Sequence, residues 1–183
     1  MRKITRSILV TSCVFAIPAL AATRLVPDEY PSIQMAIQDC NNGDTGIVSP
    51  GVYYETINFG GKNSVGTGTE PNNPKIVGYT IIDADGDGSA VTFENGETSA
   101  AVLTGFTITG GFGTLNSAFE AGNTIFWGGG IYCYQASPTI TKNIIAGNRA
   151  PVVLANTEAE SLLGYGGGIA CIESNAIVTH NII

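Results

Sequence analysis

Short runs in which apolar and polar residues alternate recur along the chain, and glycine and asparagine separate them. AVTF at residues 90–93 and PTIT at residues 138–141 are examples. β-Branched residues that alternate with polar ones are typical of strands with one buried face. The pattern therefore predicts many short β-strands.

These runs belong to an internal repeat. GGGIYCYQASPTITKNII at residues 128–145 aligns without gaps with GGGIACIESNAIVTHNII at residues 166–183, and nine of the 18 positions are identical. Weaker copies are LTGFTITGG at residues 103–111 and YTIID at residues 79–83. A unit of three short strands and three turns needs about two dozen residues. We therefore expect an all-β fold, a right-handed parallel β-helix solenoid, with the handedness taken from the crossover rule.

The longer repeats contain insertions at one turn, residues 112–127 after TGG and residues 149–165 after AGN. The DADGDGS segment at residues 83–89 lies at the same turn. The alignment makes Ile82 equivalent to Ile108 and Ile145, and it makes Val91 equivalent to Ile131 and Ile169. Insertions at one turn of a stacked coil emerge on one side, which is often the binding side.

A short capping helix is predicted before the repeats, in PSIQMAIQDC at residues 31–40. One apolar stripe at helical spacing is formed by Ile33, Ala36, Ile37 and Cys40. Ser32 can cap the start of this helix and Gly43 can end it, and the helix would cover the apolar end of a solenoid. We expect a cap over about residues 25–44 and coils over about residues 45–183. Because the chain stops inside a repeat, we also expect a fragment of a longer protein.

Two pairs of identical residues occupy equivalent positions in successive repeats. Asn143 and Asn181 are expected to stack at a turn and to hydrogen-bond along the stack. Cys133 and Cys171 follow the inward pattern of their strands. They are interpreted as two small apolar side chains stacked in the core, with a disulfide or a metal site as the alternatives.

The first 21 residues have the form of an export signal. A basic start precedes an apolar segment and an A-x-A cleavage site at residues 19–21. The expected domain is then residues 22–183, secreted, periplasmic or displayed on a cell surface. Five basic residues remain there against 15 acidic ones, a net charge of −10. Such a surface repels nucleic acid, and no stretch of about 18 apolar residues indicates a membrane span.

One acidic segment, DADGDGSAVTFE, fits a calcium-loop pattern. Asp83, Asp85, Asp87, Gly88 and Glu94 occupy its specified positions. Strand-like sequences flank the segment where a helix-loop-helix site needs helices, so that type of site is rejected. Two interpretations remain: a tight solvated turn, or a calcium ion held by the three aspartates without helices.

Aromatic and acidic residues are concentrated in the two insertions. The candidate ligand-binding residues are Phe112, Phe119, Glu120, Phe126, Trp127 and Tyr165. Ring faces pack on the C–H surfaces of sugars while carboxylates bind hydroxyl groups, so this composition suits glycan recognition. The alternative is that the rings anchor long loops to the coils.

The chain resembles the secreted right-handed parallel β-helix proteins of the pectate-lyase-like superfamily. The resemblance is carried by LVPDEYPSIQMAIQDCNNGDTGIVSPGVYYETINF, which is similar to that family's cap and first coil, and by the GGGIYC…SPTITKNIIAGN units. The repeats are also similar to those of polymorphic outer-membrane proteins. The resemblance implies the fold and leaves the activity open, because the superfamily includes lyases, hydrolases, epimerases and adhesins.

Three hypotheses for function follow. The first is an exported or surface-displayed, non-catalytic module whose insertion side binds a polysaccharide or another surface partner. The second is a polysaccharide lyase or glycoside hydrolase; the resemblance then implies a base, with Lys142 and Arg149 as candidates, or the aspartate cluster. His180 is interpreted as a surface residue. The third is a passive structural stalk. Calcium is the one cofactor that the sequence makes a candidate.

Overall fold

The chain is built mostly from short parallel strands. The computed structural model describes residues 20–115, 124–152 and 162–183. Its strands are β1 (Thr23–Val26), β2 (Thr45–Val48), β3 (Gly51–Tyr54), β4 (Ile57–Asn58), β5 (Val65–Gly68), β6 (Thr80–Asp83), β7 (Val91–Phe93), β8 (Val102–Thr104), β9 (Thr107–Thr109), β10 (Thr114–Leu115), β11 (Thr124–Trp127), β12 (Ile131–Tyr134), β13 (Thr139–Thr141), β14 (Ile144–Ile145), β15 (Leu162–Tyr165), β16 (Ile169–Ile172) and β17 (Ile177–Thr179). Its helices are α1 (Ile33–Asp39) and α2 (Pro74–Val77). The prediction of a mostly β chain is confirmed.

Successive strands enter three different sheets and then return to the first one. The first sheet has the order β1-β2-β5-β8-β13-β17, the second β14-β9-β6-β3, and the third β16-β12-β7-β4. All neighbouring strands in these sheets are parallel. We call one pass through the three sheets a circuit. Each circuit pairs with the circuit before it, so equivalent residues lie in adjacent strands.

The strand register agrees with the alignment of the sequence repeats. In the second sheet Ile108 lies between Ile82 and Ile145. In the third sheet Ile131 lies between Val91 and Ile169. The residue pairs that the repeats predicted are therefore confirmed in both sheets.

The interior of the circuits is filled by residues that stack on their equivalents. Ile82, Ile108 and Ile145 are buried in one such column. In the third sheet Phe59 and Phe93 stack with ring centroids 4.4 Å apart. Stacked apolar side chains of this kind remove their surfaces from water at every circuit, which is the main stabilising contribution to the fold.

Helix α1 packs on the first circuit through its apolar stripe. Ser32 caps it by accepting a hydrogen bond from the Met35 N–H at 3.2 Å. The Glu55 carboxylate accepts the N–H groups of Ile33 and Gln34 at 2.8 and 2.9 Å, which satisfies two donors at the helix start. Its buried residues, Ile33, Ala36 and Ile37, belong to the same core cluster as Val26, Val48 and Ile57.

The end of α1 differs from the prediction. The helix ends at Asp39, and Cys40 has an extended backbone although its side chain is buried. Gly43 has a φ of +90° but lies beyond this end, next to β2. The apolar stripe thus continues past the helix, because Cys40 reaches the core from an extended segment.

Two asparagines form the predicted ladder at the turn between the first and second sheets. The Asn143 Oδ1 accepts the Phe106 N–H at 3.0 Å, and its Nδ2 donates to the Leu103 carbonyl at 3.0 Å. One circuit later, Asn181 makes the equivalent bonds to the Asn143 N–H and the Ile140 carbonyl, each at 2.9 Å. Each asparagine therefore holds the turn of the preceding circuit.

We predict that Asn143→Ala lowers the free energy of unfolding by about 1–3 kcal/mol, because it leaves the buried N–H and carbonyl of the preceding turn without a partner. Asn143 is 1% exposed. Urea denaturation measures the change. Asn181→Ala is the matched control: it removes equivalent bonds at a less buried position and should cost less. Equal losses in the two variants would contradict a role for burial in the ladder.

Candidate functional site on the insertion face

Three turns between the second and third sheets meet on one side of the molecule. They are the acidic turn after β6, the insertion between β9 and β12, and the insertion between β14 and β16. The described parts of the insertions add a small sheet in which β11 pairs with β10 in antiparallel and with β15 in parallel orientation. The N–H groups of Phe112 and Gly113 donate to the Gly88 carbonyl at 2.6 and 3.1 Å, which joins this sheet to the acidic turn. We call this surface the insertion face.

The glycine triplets of the repeats bring the insertions back into the third sheet. The N–H groups of Gly128, Gly129 and Gly130 donate to the carbonyls of Tyr165, Gly166 and Gly167 at 2.9–3.0 Å. A Cβ on Gly129 would lie 2.4 Å from the carbonyl oxygens of both Arg149 and Gly167. The repeats therefore carry glycine here because the backbones of successive circuits approach too closely for side chains.

Two aromatic residues from successive insertions stack on the insertion face. The parallel register of β11 and β15 sets Trp127 directly opposite Tyr165. Their ring centroids are 4.6 Å apart with an interplanar angle of 22°. Tyr165 is 43% exposed and Trp127 is half-buried. The result is a pair of stacked rings that is partly open to solvent.

A second aromatic pair belongs to the same insertions and contacts a cation. Because Phe126 and Trp127 are successive residues of β11, their side chains point to opposite faces of the small sheet. Phe112 and Phe126 meet edge to face with ring centroids 5.7 Å apart. The Arg149 guanidinium lies 4.6 Å from the centroid of the Phe112 ring, within the range of cation–π attraction. The Arg149 N–H also donates to the Gly111 carbonyl at 2.9 Å. Both contacts orient a guanidinium that is exposed to solvent.

The acidic turn is ordered by its own backbone and side-chain bonds. The Asp83 carboxylate accepts the Asp85 N–H at 2.9 Å, and Asp85 has a φ of +51°. Gly110 of the next circuit has a φ of +71°, and a Cβ there would lie 2.0 Å from the Asp83 carboxylate. A side chain at Gly110 would thus displace the aspartate that closes the turn.

A cleft of about 310 Å³ lies between this turn and Arg149. Its lining residues are Asp83, Asp85, Gly86, Gly110, Gly111, Gly147 and Arg149. Within the described part of the chain Arg149 forms no ion pair, so its donors are not used by Asp83 or Asp85. The cleft is therefore lined by carboxylate acceptors, by guanidinium donors and by the backbone of four glycines. This arrangement can form hydrogen bonds with a ligand rich in hydroxyl groups.

The structure pairs four of the six predicted ligand residues, Phe112 with Phe126 and Trp127 with Tyr165. Phe119 and Glu120 lie outside the described residues, as does most of the predicted export signal. Arg149 was considered from the sequence only as a candidate base, and the structure adds it to the insertion face. Its position at the start of the second insertion was the available signal. Lys142 and His180 lie instead at the turn between the first and second sheets, where both line a separate cleft.

Strands flank the acidic segment on both sides, as predicted, and Glu94 bonds the Asn58 side chain at 2.9 Å. Among the residues that the structure describes, no three histidine, cysteine, aspartate or glutamate side chains converge as metal ligands. The calcium interpretation therefore rests on the sequence pattern alone and stays a prediction.

Comparison with models of known protein families, with curated proteins and with solved structures finds no match for this chain. In the described ranges, none of the helices has the length and apolar character that crossing a membrane requires.

We predict that Gly129→Ala destabilises the protein by about 1–3 kcal/mol, because the new Cβ forces two backbone carbonyls apart. Thermal or urea denaturation checks this. Gly167→Ala is the matched control at the equivalent position of the next circuit, where the nearest atom to a Cβ is 3.6 Å away. A Gly129→Ala variant as stable as Gly167→Ala would show that the backbone relaxes easily here.

The calcium hypothesis predicts that millimolar calcium raises the thermal midpoint of the wild-type protein, since a ligand that binds only the folded state stabilises it. An Asp85→Ala/Asp87→Ala double variant should lose that shift. Magnesium at the same concentration serves as a control for ionic strength. An unchanged wild-type midpoint, or the same shift in the double variant, would leave the segment as a tight turn only.

Proposed function

We propose that this protein is an exported right-handed parallel β-helix of the pectate-lyase-like type and that its insertion face binds a glycan. The observation that carries the proposal is the Trp127–Tyr165 stack, because two successive insertions contribute one ring each to a single partly exposed surface. An aromatic plane of this kind accommodates the apolar face of a sugar ring, while an anchoring residue would be covered.

Polar groups suited to sugar hydroxyls line a cleft formed by the turns from which the insertions leave. The cleft between Asp83, Asp85 and Arg149 supplies both hydrogen-bond acceptors and donors. A Cβ on Gly164 would lie 2.4 Å from the carbonyl of Ala150, the neighbour of Arg149, so this part of the chain borders the side of β15 that faces away from the Tyr165 ring. The aromatic stack and the polar cleft are thus two separate parts of the insertion face, each with groups that suit contact with a sugar.

A second candidate function is polysaccharide cleavage, as in a lyase or hydrolase. The observation that favours it is the presence of two carboxylates and a guanidinium in one cleft, which are groups that acid–base chemistry on a sugar would need. Binding without cleavage remains the leading proposal, because the aromatic stack supports recognition of a sugar and has no part in proton transfer.

The experiment incubates the protein with a panel of neutral and acidic polysaccharides, and follows retention of the protein together with new reducing or unsaturated chain ends. Retention without new ends supports a binding module. New ends favour the enzyme. Absence of both signals over the panel would contradict both proposals and favour a structural stalk.

For a polysaccharide that retains the protein, we predict that Tyr165→Ala weakens binding about tenfold, because it removes the exposed ring of the stack. Tyr165→Phe should keep most of the affinity. Tyr79→Ala is the control, since Tyr79 is also exposed but precedes β6, in the connection between the first and second sheets. Affinity electrophoresis or calorimetry measures the change. Equal affinity of Tyr165→Ala and wild type would remove the aromatic stack from the site.

A further inference from the structure

Cys133 and Cys171 are direct neighbours in the third sheet. The register of β12 and β16 sets them opposite each other in parallel strands. Adjacent strands lie about 4.8 Å apart, and disulfides join Cα atoms about 4.4–6.8 Å apart. Both residues continue the interior column of Phe59 and Phe93, so their side chains point the same way. Both thiols are free in this structure.

We propose that Cys133 and Cys171 are a disulfide-forming pair that covalently ties two successive circuits by thiol–disulfide exchange with a small disulfide oxidant. This inference does not depend on glycan binding. It assigns a chemical role to two positions of the repeat that packing alone would treat as small apolar residues.

The two thiols differ in accessibility and in acidity. Cys133 is fully buried, whereas Cys171 is exposed. A hydrogen bond from the Cys133 thiol lowers the pKa of Cys171, against the opposing effect of desolvation. The hydrogen bond between the two thiols and the burial of Cys133 raise the pKa of Cys133. Cys171 is therefore the thiol that attacks first, and Cys133 is positioned to resolve the product.

The exchange can be written with oxidised glutathione as the oxidant. The Cys171 thiolate attacks one glutathione sulfur, forms a mixed disulfide and releases one glutathione thiolate. The Cys133 sulfur then attacks the Cys171 sulfur and releases the second glutathione, whose departing thiolate takes the proton of the Cys133 thiol. Two protein thiols are oxidised by two electrons, and one oxidised glutathione becomes two reduced molecules.

Cys40 provides an internal control for this chemistry. It lies at the end of α1, is 1% exposed, and burial raises the pKa of its thiol. The rings of Phe59 and Phe93 lie between the first circuit, on which α1 and Cys40 pack, and Cys133. Oxidation of Cys133 and Cys171 while Cys40 stays reduced would therefore show that pairing, and not burial, decides which thiols react.

The test uses the full chain carrying Cys13→Ser, reduced and then treated with oxidised glutathione under native conditions. Remaining thiols are alkylated, and non-reduced peptides are mapped by mass spectrometry. We expect a peptide pair that joins Cys133 to Cys171, with Cys40 alkylated, in this protein and in a Cys40→Ser derivative. A Cys133→Ser derivative should stop at glutathione attached to Cys171. Oxidation should also raise the thermal midpoint by roughly 5–10 °C through the closed loop.

Two outcomes would overturn the proposal. One is that Cys133 and Cys171 are both still alkylated after oxidation although circular dichroism shows a folded protein. The other is that the disulfide-linked peptides contain Cys40, or join the same cysteine of two molecules. The peptide map of the protein that retains Cys40, Cys133 and Cys171 requires no substitution in the pair. It therefore tests the proposal even if Cys133→Ser does not fold.

Discussion

The stacking of successive circuits at the spacing of parallel strands is the constraint on which the rest of this structure depends. Backbone hydrogen bonds hold each strand against its equivalent about 4.8 Å away, so every interior residue meets a residue of the same position in the next circuit. Isoleucine on isoleucine satisfies this condition in the second sheet, and Phe59 on Phe93 satisfies it in the third. Polar residues obey it as well, because Asn143 can bond the preceding turn only when the turns are in register.

The insertion face follows from the same constraint. Both insertions leave and re-enter at one turn, so the strands that return from them, β11 and β15, become neighbours and pair in parallel. The glycine triplet at residues 128–130 allows this, because a Cβ on Gly129 or Gly130 would lie 2.4–2.6 Å from a carbonyl oxygen of the next triplet. The side-by-side position of Trp127 and Tyr165 is therefore a consequence of stacking, even though the insertions differ in sequence.

Those features that depend on the repeat could be predicted from the sequence, and those that depend on the insertions could not. Aligned repeats gave the strand register, the turn that carries the insertions and the asparagine ladder, because equivalent residues must stack. The antiparallel pairing of β10 with β11 and the contact of Arg149 with Phe112 have no counterpart in another circuit. The end of α1 before Cys40 was also missed, since burial of a side chain does not require the backbone to be helical.

The rigid core sets the geometry of the insertion face through short connections. Five residues lie between Trp127 and Cys133, and five lie between Tyr165 and Cys171. The backbone bonds of the glycine triplets continue the pairing from β11 and β15 into β12 and β16, so the aromatic pair and the thiol pair share one register. A slip of one residue between β12 and β16 would turn every inward side chain outward, and it would separate both pairs together. The register that places Ile131 against Ile169 therefore also positions Tyr165 on Trp127.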